Sequence, residues 1–167
     1  MTIIKEYDKK FMLRCIELSV ESVRSGDAAF GSLIALDDIL IAEGLNDVKT
    51  RISEHAEIVA LNNAHKALGT PDLAQCTLYT SCEPCPMCSF MIREYKIKRV
   101  VFALPSPFVG GYSKWPILQD TEIGNLKPIF SDPPEILGGF MEEEAKAVMD
   151  ATPLWMFGSD AKSRNRF

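Results

Sequence analysis

Residues Leu78–Cys88 read LYTSCEPCPMC, an apolar run that gives way to two prolines and two closely spaced cysteines. The segment from Cys76 to Thr80 has the composition of a buried strand. Pro84 and Pro86 suit the first turn of a helix, where a missing N–H leaves no bond unmade, and this helix is predicted to run to about Tyr95. Lys98 to Leu104 (KRVVFAL) reads as a further strand. Upstream, His55 to Leu68 is helical in pattern, with Ser53 as a candidate cap and Gly69-Thr70-Pro71 as its stop. Helix and strand therefore alternate through the middle of the chain.

Working outward, Asn46 to Ser53 is polar and reads as loop. Ser32 to Ala35 and Ile39 to Leu45 form a hairpin across Asp37-Asp38. Asp8 to Ser25 carries Phe11, Met12, Cys15, Ile16, Leu18, Val20 and Val23 on one broad helical face, ended by Gly26-Asp27. Residues Pro105 to Pro134 are rich in proline and glycine, with one strand expected at Leu126 to Phe130. Glu135 to Asp150 is helical in pattern despite Gly138-Gly139, and Pro153 to Phe167 reads as a short terminal helix and tail. The pattern predicts an α/β fold, a sheet with helices on both faces in a three-layer α/β/α sandwich. There is no internal repeat and no dividing linker, so residues 1–167 are read as one domain with a core over about 8–150.

A chain of 167 residues can bury roughly 70% of its unfolded surface. No apolar stretch approaches the ~20 residues of a membrane span. Met1 to Lys10 is charged and amphipathic rather than a signal peptide, so a cytoplasmic location is the default expectation. Cys15, Cys76, Cys82, Cys85 and Cys88 are odd in number and clustered, a poor disulfide framework and a better set of metal ligands. The net charge of −5 lacks the field that draws polyanions.

The metal reading rests on His55-Ala56-Glu57 and Pro84-Cys85-Pro86-Met87-Cys88. Cysteines three apart on a first helical turn can aim both sulfurs at one ion. A histidine from a second helix start completes three ligands, which leaves the fourth tetrahedral position of a Zn2+ ion to a bound water or hydroxide. Helix residues i and i+2 point apart, so His55 and Glu57 serve one site only if His55 sits at the very start of its helix. Glu57 is then placed to move protons. A closed structural site of Cys82, Cys85, Cys88 and His55 is the competing arrangement.

His-x-Glu followed by Pro-Cys-x-x-Cys is the signature of zinc nucleobase deaminases. Over residues 8–150 the chain resembles the cytidine deaminase superfamily, in AFGSLIAL (Ala29–Leu36), HAEIVAL (His55–Leu61), LYTSCEPCPMC (Leu78–Cys88) and KRVVFA (Lys98–Ala103). The resemblance implies the family's fold, with a mixed sheet of about five strands. It also implies a zinc-dependent hydrolase acting on the C–N bonds of cyclic amidines, with one Zn2+ on His55, Cys85 and Cys88. Glu57 would protonate a ring nitrogen and then the departing amine. Asn46 matches the family's base-binding asparagine, and the backbone of Ala56 and Cys85 and the ring of Phe30 are further implied contacts. Cys82 is left as a small buried residue at a strand end, and Cys15 and Cys76 as core.

Three substrate classes share these motifs. Guanine deaminases match the text around the cysteines and end in an aromatic tail, as this chain does at Phe167. They also place an acidic residue soon after the Val-Val-Phe strand, where this chain has Pro105-Ser106-Pro107-Phe108 and no carboxylate until Asp120. Phe108, Trp155 and Phe157 resemble the aromatics with which fungal cytosine deaminases enclose a small base. Bacterial tRNA adenosine deaminases share Glu-Pro-Cys-Pro-Met-Cys, and the acidic balance, with Glu142-Glu143-Glu144, ranks tRNA behind a free nucleobase or small nucleoside. The family resemblance implies a homodimer, and a tail over 151–167 covering the site. Gly110 to Pro116 reads as an ordered loop: a pocket wall, a subunit contact, or a surface loop with no special role. A zinc-stabilised interaction module without catalysis is the remaining alternative.

Overall fold

A computed structural model describes residues 2–152. Helix α1 (Asp8–Arg24) leads into the hairpin β1 (Gly31–Leu36) and β2 (Ile39–Leu45). Then come α2 (Ala56–Leu68), β3 (Thr77–Cys82), α3 (Pro86–Glu94) and β4 (Arg99–Leu104), followed by a long irregular segment, β5 (Glu135–Gly138) and α4 (Glu142–Ala151). The five strands lie in the order β2-β1-β3-β4-β5. β1 pairs antiparallel with both β2 and β3, whereas β3, β4 and β5 run parallel. The expected mixed five-stranded sheet is present.

Alternation along the strands divides the core between the two faces. Ile34, Leu78, Val100 and Phe102 face α2 and α3, where Ala60, Leu61, Ala64 and Ile92 close over them. Leu33, Ala35, Tyr79, Val101 and Ala103 face α1 and α4, meeting Phe11, Met12, Cys15, Leu18 and Ala145. Cys15 and Cys76 are buried core residues, as expected. No helix among the described residues is long and apolar enough to cross a membrane.

Two element assignments differ from the sequence reading. Leu126 to Phe130 is not a strand: after a 3-10 turn at Ile123–Asn125 it forms turns. Pro128 cannot donate to a ladder, and Leu126 and Ile129 stay more than half exposed. Glu135 to Asp150 is not one helix. Its first four residues pair with the open edge of β4, and Gly138 crosses the Phe102 ring so closely that a Cβ would lie 2.5 Å from its Cζ. Edge pairing overrides the local helical pattern. A third difference is local: α2 is capped at His55 rather than Ser53.

Gly44 sets how α2 lies on the sheet. A Cβ there would stand 2.2 Å from the carbonyl oxygen of Ala56 and 2.6 Å from the amide nitrogen of Ala60. Backbone cannot yield as a side-chain tip can, so Gly44→Ala is expected to cost about 1–3 kcal/mol in urea or thermal denaturation. An unchanged midpoint would mean that strand and helix separate freely.

Candidate metal centre and active site

Three side chains converge where α2 and α3 begin. His55 is the N-cap of α2 with extended backbone (φ −67°, ψ 151°). Cys85 is the N-cap of α3 (φ −70°, ψ 171°), followed at once by Pro86, and Cys88 lies in the first turn. The helix-start position required of His55 is met, so Glu57 can face the same space. The Cys85 Sγ, Cys88 Sγ and His55 Nδ1 atoms form a triangle whose three edges are each 3.6 Å. Ligands ~2.1–2.3 Å from a tetrahedral zinc stand about 3.6–3.8 Å apart, so this triangle fits the ion in size and in donor type. Among the described residues these three form the metal-ligand group, without Cys82. The closed arrangement with Cys82 as a fourth ligand is not what the fold builds.

Electrostatics favour thiolate at Cys85, while the neighbouring Cys85 sulfur and burial push the Cys88 thiol up. The Cys88 sulfur beside it, and His55 next, hold the Cys85 thiol down at about 4 against the opposing push of burial. Both helix N-termini add positive potential. Cys82 closes β3 and is half-buried rather than fully buried, because its side chain lines the cavity; desolvation pushes its thiol up to about 12, unlike a ligand.

Glu57 is buried, with Oε1 accepting from the Thr80 hydroxyl at 3.2 Å and Oε2 lying 3.6 Å from the Cys88 sulfur. Burial above all, and then the charge of Cys85, raise its pKa above the ordinary carboxylate value. A cavity of about 210 Å³ opens on this group, lined by Phe30, Asn46, His55, Glu57, Cys82, Glu83, Cys85, Ser106 and Val109.

The sequence-derived contacts are placed unevenly around it. Phe30 and Asn46 line the cavity. Asn46 is also tied into the protein, donating from Nδ2 to Asp27 at 2.9 Å and accepting from the Ala56 amide at 3.3 Å. Asn46 and Ala56 therefore form one linked unit rather than two separate contacts. Phe108 is 85% exposed, while Ser106 and Val109 on either side of it supply the wall. Trp155, Phe157 and the tail lie outside the described residues. Asp27, Thr80, Glu83, Ser106 and Val109 were missed. Asp27 carried only the signal of a helix stop, and Glu83 sat unremarked inside the motif.

Residues 5–104 match the zinc-binding region of cytidine and deoxycytidylate deaminases. The chain is similar to guanine deaminase of Bacillus subtilis (strain 168), 44% identical over 96 residues that cover 56% of this chain and 62% of that protein. It is also similar to the tRNA-specific adenosine deaminase of the same organism, 30% identical over 148 residues covering 86% and 87%. A solved structure from a study of A-to-I editing by tRNA:A34 deaminases at the wobble position of transfer RNA shares the fold. It has a TM-score of 0.73 at 24% identity, covering 84% of this chain and 99% of that one. The ranking of tRNA behind a free base on net charge is not supported by these relatives, since the tRNA enzyme aligns over more of the chain.

Proposed function

The chain belongs to the cytidine and deoxycytidylate deaminase family, and on that premise we propose that it hydrolytically removes an exocyclic amino group, as ammonia, from a free nucleobase or small nucleoside. The observation that carries this reading is the buried Glu57 carboxylate opening on the same cavity as His55 and Cys85. His55, Cys85 and Cys88 would hold the zinc ion, which when bound would supply a Lewis acid that makes water nucleophilic near neutral pH. Glu57 takes a proton from the attacking water and delivers it to the ring nitrogen beside the amino-bearing carbon. It then carries the second proton to the amine, so that water and an amino-heterocycle become a carbonyl-heterocycle and ammonia. A carboxylate whose pKa lies above the ordinary value is suited to both giving and taking. Phe30 packs against the base, and the Asn46–Ala56 unit offers its polar edge. A cavity of about 210 Å³ is below the roughly 300–1,000 Å³ usual for drug-sized ligands, which supports a base-sized occupant.

The second reading is deamination of the wobble adenosine of tRNA, with the base turned out into the same cavity. It is favoured by the 87% coverage of the Bacillus subtilis tRNA-specific enzyme. Ammonia release from the zinc-loaded protein separates the two. Guanine, cytosine, adenine, isocytosine, their nucleosides and amino-triazines form one arm, and an anticodon stem-loop at 50 and 200 mM salt forms the other. Turnover of a free base is the expected result. Turnover of the stem-loop alone, falling steeply with salt, would establish the second reading, and silence in both arms would refute the deaminase assignment.

A further inference from the structure

Between the strand-end Cys82 and the metal-side Cys85, Glu83 borders the cavity and anchors its carboxylate in the irregular segment after β4. It is 4% exposed, and among the described residues no cation pairs with it in an ion pair. Its partners are neutral donors from one loop. Oε2 accepts from the Ser106 amide at 2.8 Å, and Oε1 from the amides of Tyr112 and Ser113 at 3.0 and 2.7 Å. The Ser113 hydroxyl lies 3.0 and 2.9 Å from the two oxygens. Three amides converging on one anion form a nest in which each bond is charge-assisted.

The loop is shaped to make this approach. A Cβ on Gly110 would fall 1.9 Å from Glu83 Oε1, and one on Gly111 would fall 2.0 Å from Ser89 Oγ and 3.1 Å from the Cys85 carbonyl. The Gly111 amide donates to Pro84 O at 2.7 Å, and the Glu83 amide to Leu104 O at 2.7 Å. The same loop carries Ser106 and Val109, two walls of the cavity.

We propose that Glu83 is a positioning residue that fixes the Ser106–Val109 wall relative to the metal-side turn, and thereby sets which base the cavity accepts. The proposal rests on the deaminase reading for its substrate, not for its geometry. Glu83→Gln keeps the shape but puts an NH2 group against at least one amide donor, so the wall loses hold while Cys85 and Cys88 stay in place.

The test measures KM and kcat for the best substrate of the screen, with zinc content by atomic absorption. Glu83→Gln is expected to raise KM about tenfold, to leave kcat within about threefold and to narrow the preference among bases, with zinc unchanged. Gly110→Ala, pressing from the loop side, should give the same split, and the double variant less than the product of the two. Ser113→Ala, which removes only a hydroxyl, should move KM about threefold. Unchanged KM in Glu83→Gln, or loss of zinc in parallel with kcat, would overturn the proposal. If the wild type turns over no substrate, the deaminase reading fails by itself. Amide hydrogen exchange then decides the positioning role: faster exchange at Ser106, Tyr112 and Ser113 in Glu83→Gln sustains it, and equal exchange ends it.

Discussion

Glu57→Gln is expected to lower kcat about 10²–10⁴-fold while the protein keeps its zinc and its fold. Gln matches Glu in size and still offers an oxygen to the Thr80 hydroxyl, which bonds Oε1 at 3.2 Å. What it cannot do is accept a proton at neutral pH. General acid–base catalysis by one positioned group is worth about 10²–10⁴ in rate, and Glu57 would serve two transfers in one turnover. The three metal-side atoms do not include Glu57, so zinc content by atomic absorption should match the wild type. KM should change little, because the amide occupies the same volume at the cavity edge. Ammonia release retained to within a few-fold would remove Glu57 from the mechanism. Loss of zinc in step with activity would make it a support of the metal centre instead. A non-catalytic zinc module predicts no activity to lose in the first place.

The features read correctly from the sequence are those whose causes are local. Cysteines three apart, with Pro84 before the first and Pro86 after it, suit the first turn of a helix, and the structure places Cys85 at the cap and Cys88 in the first turn. The requirement that His55 start its helix follows from the geometry of residues two apart, and His55 is the cap. Asp37-Asp38 marks the hairpin, with Asp37 at φ 50°.

What escaped depends on partners far along the chain. Glu135–Gly138 becomes a strand because β4 offers an unpaired edge, which nothing within the segment announces. Leu126 to Phe130 is apolar enough to suggest a strand, yet its neighbourhood is organised by the buried Arg93, whose guanidinium donates to the carbonyls of Ile117, Asp120 and Ser131. Glu83 was legible as a letter of the motif and not as the anchor of a loop, since its donors lie more than twenty residues on. The chemistry of the site is therefore more legible in the sequence than its walls.

Asp8→Ala is expected to destabilise the fold by about 3–5 kcal/mol. Asp8 opens α1, and Arg99 begins β4, 91 residues on. Both are essentially inaccessible, at 0% and 1% exposure. They form a bidentate pair, with Arg99 Nη1 donating to Oδ1 at 2.7 Å and Nη2 to Oδ2 at 2.8 Å. The Tyr79 hydroxyl donates to Oδ1 at 2.6 Å and the Lys5 amide to Oδ2 at 2.8 Å. Removing the carboxylate leaves a guanidinium in the core with Ile3 O as its remaining hydrogen-bond acceptor and the half-exposed Glu135 carboxylate 3.6 Å from its Nε, together with a tyrosine hydroxyl that has lost its acceptor. Breaking a buried pair by removing one partner costs about 3–5 kcal/mol, and Glu135, in water and at longer range, offsets little of it. Replacing Asp8 and Arg99 together by apolar residues of similar volume should cost less than Asp8→Ala alone, because no charge is stranded. Acid gives an independent check. Burial pushes the Asp8 pKa upward, but hydrogen bonds from Arg99 and Tyr79 outweigh it and hold the value below 3.8. A carboxyl whose pKa is depressed by folding contributes fully above its unfolded pKa, and that contribution is lost as pH falls through the folded value. The stability difference between wild type and Asp8→Asn, from urea titrations at a series of pH values, should therefore be level above about pH 5 and shrink below about pH 4. A difference that stayed constant down to pH 3, or grew, would show that the pair does not hold α1 to the sheet by charge.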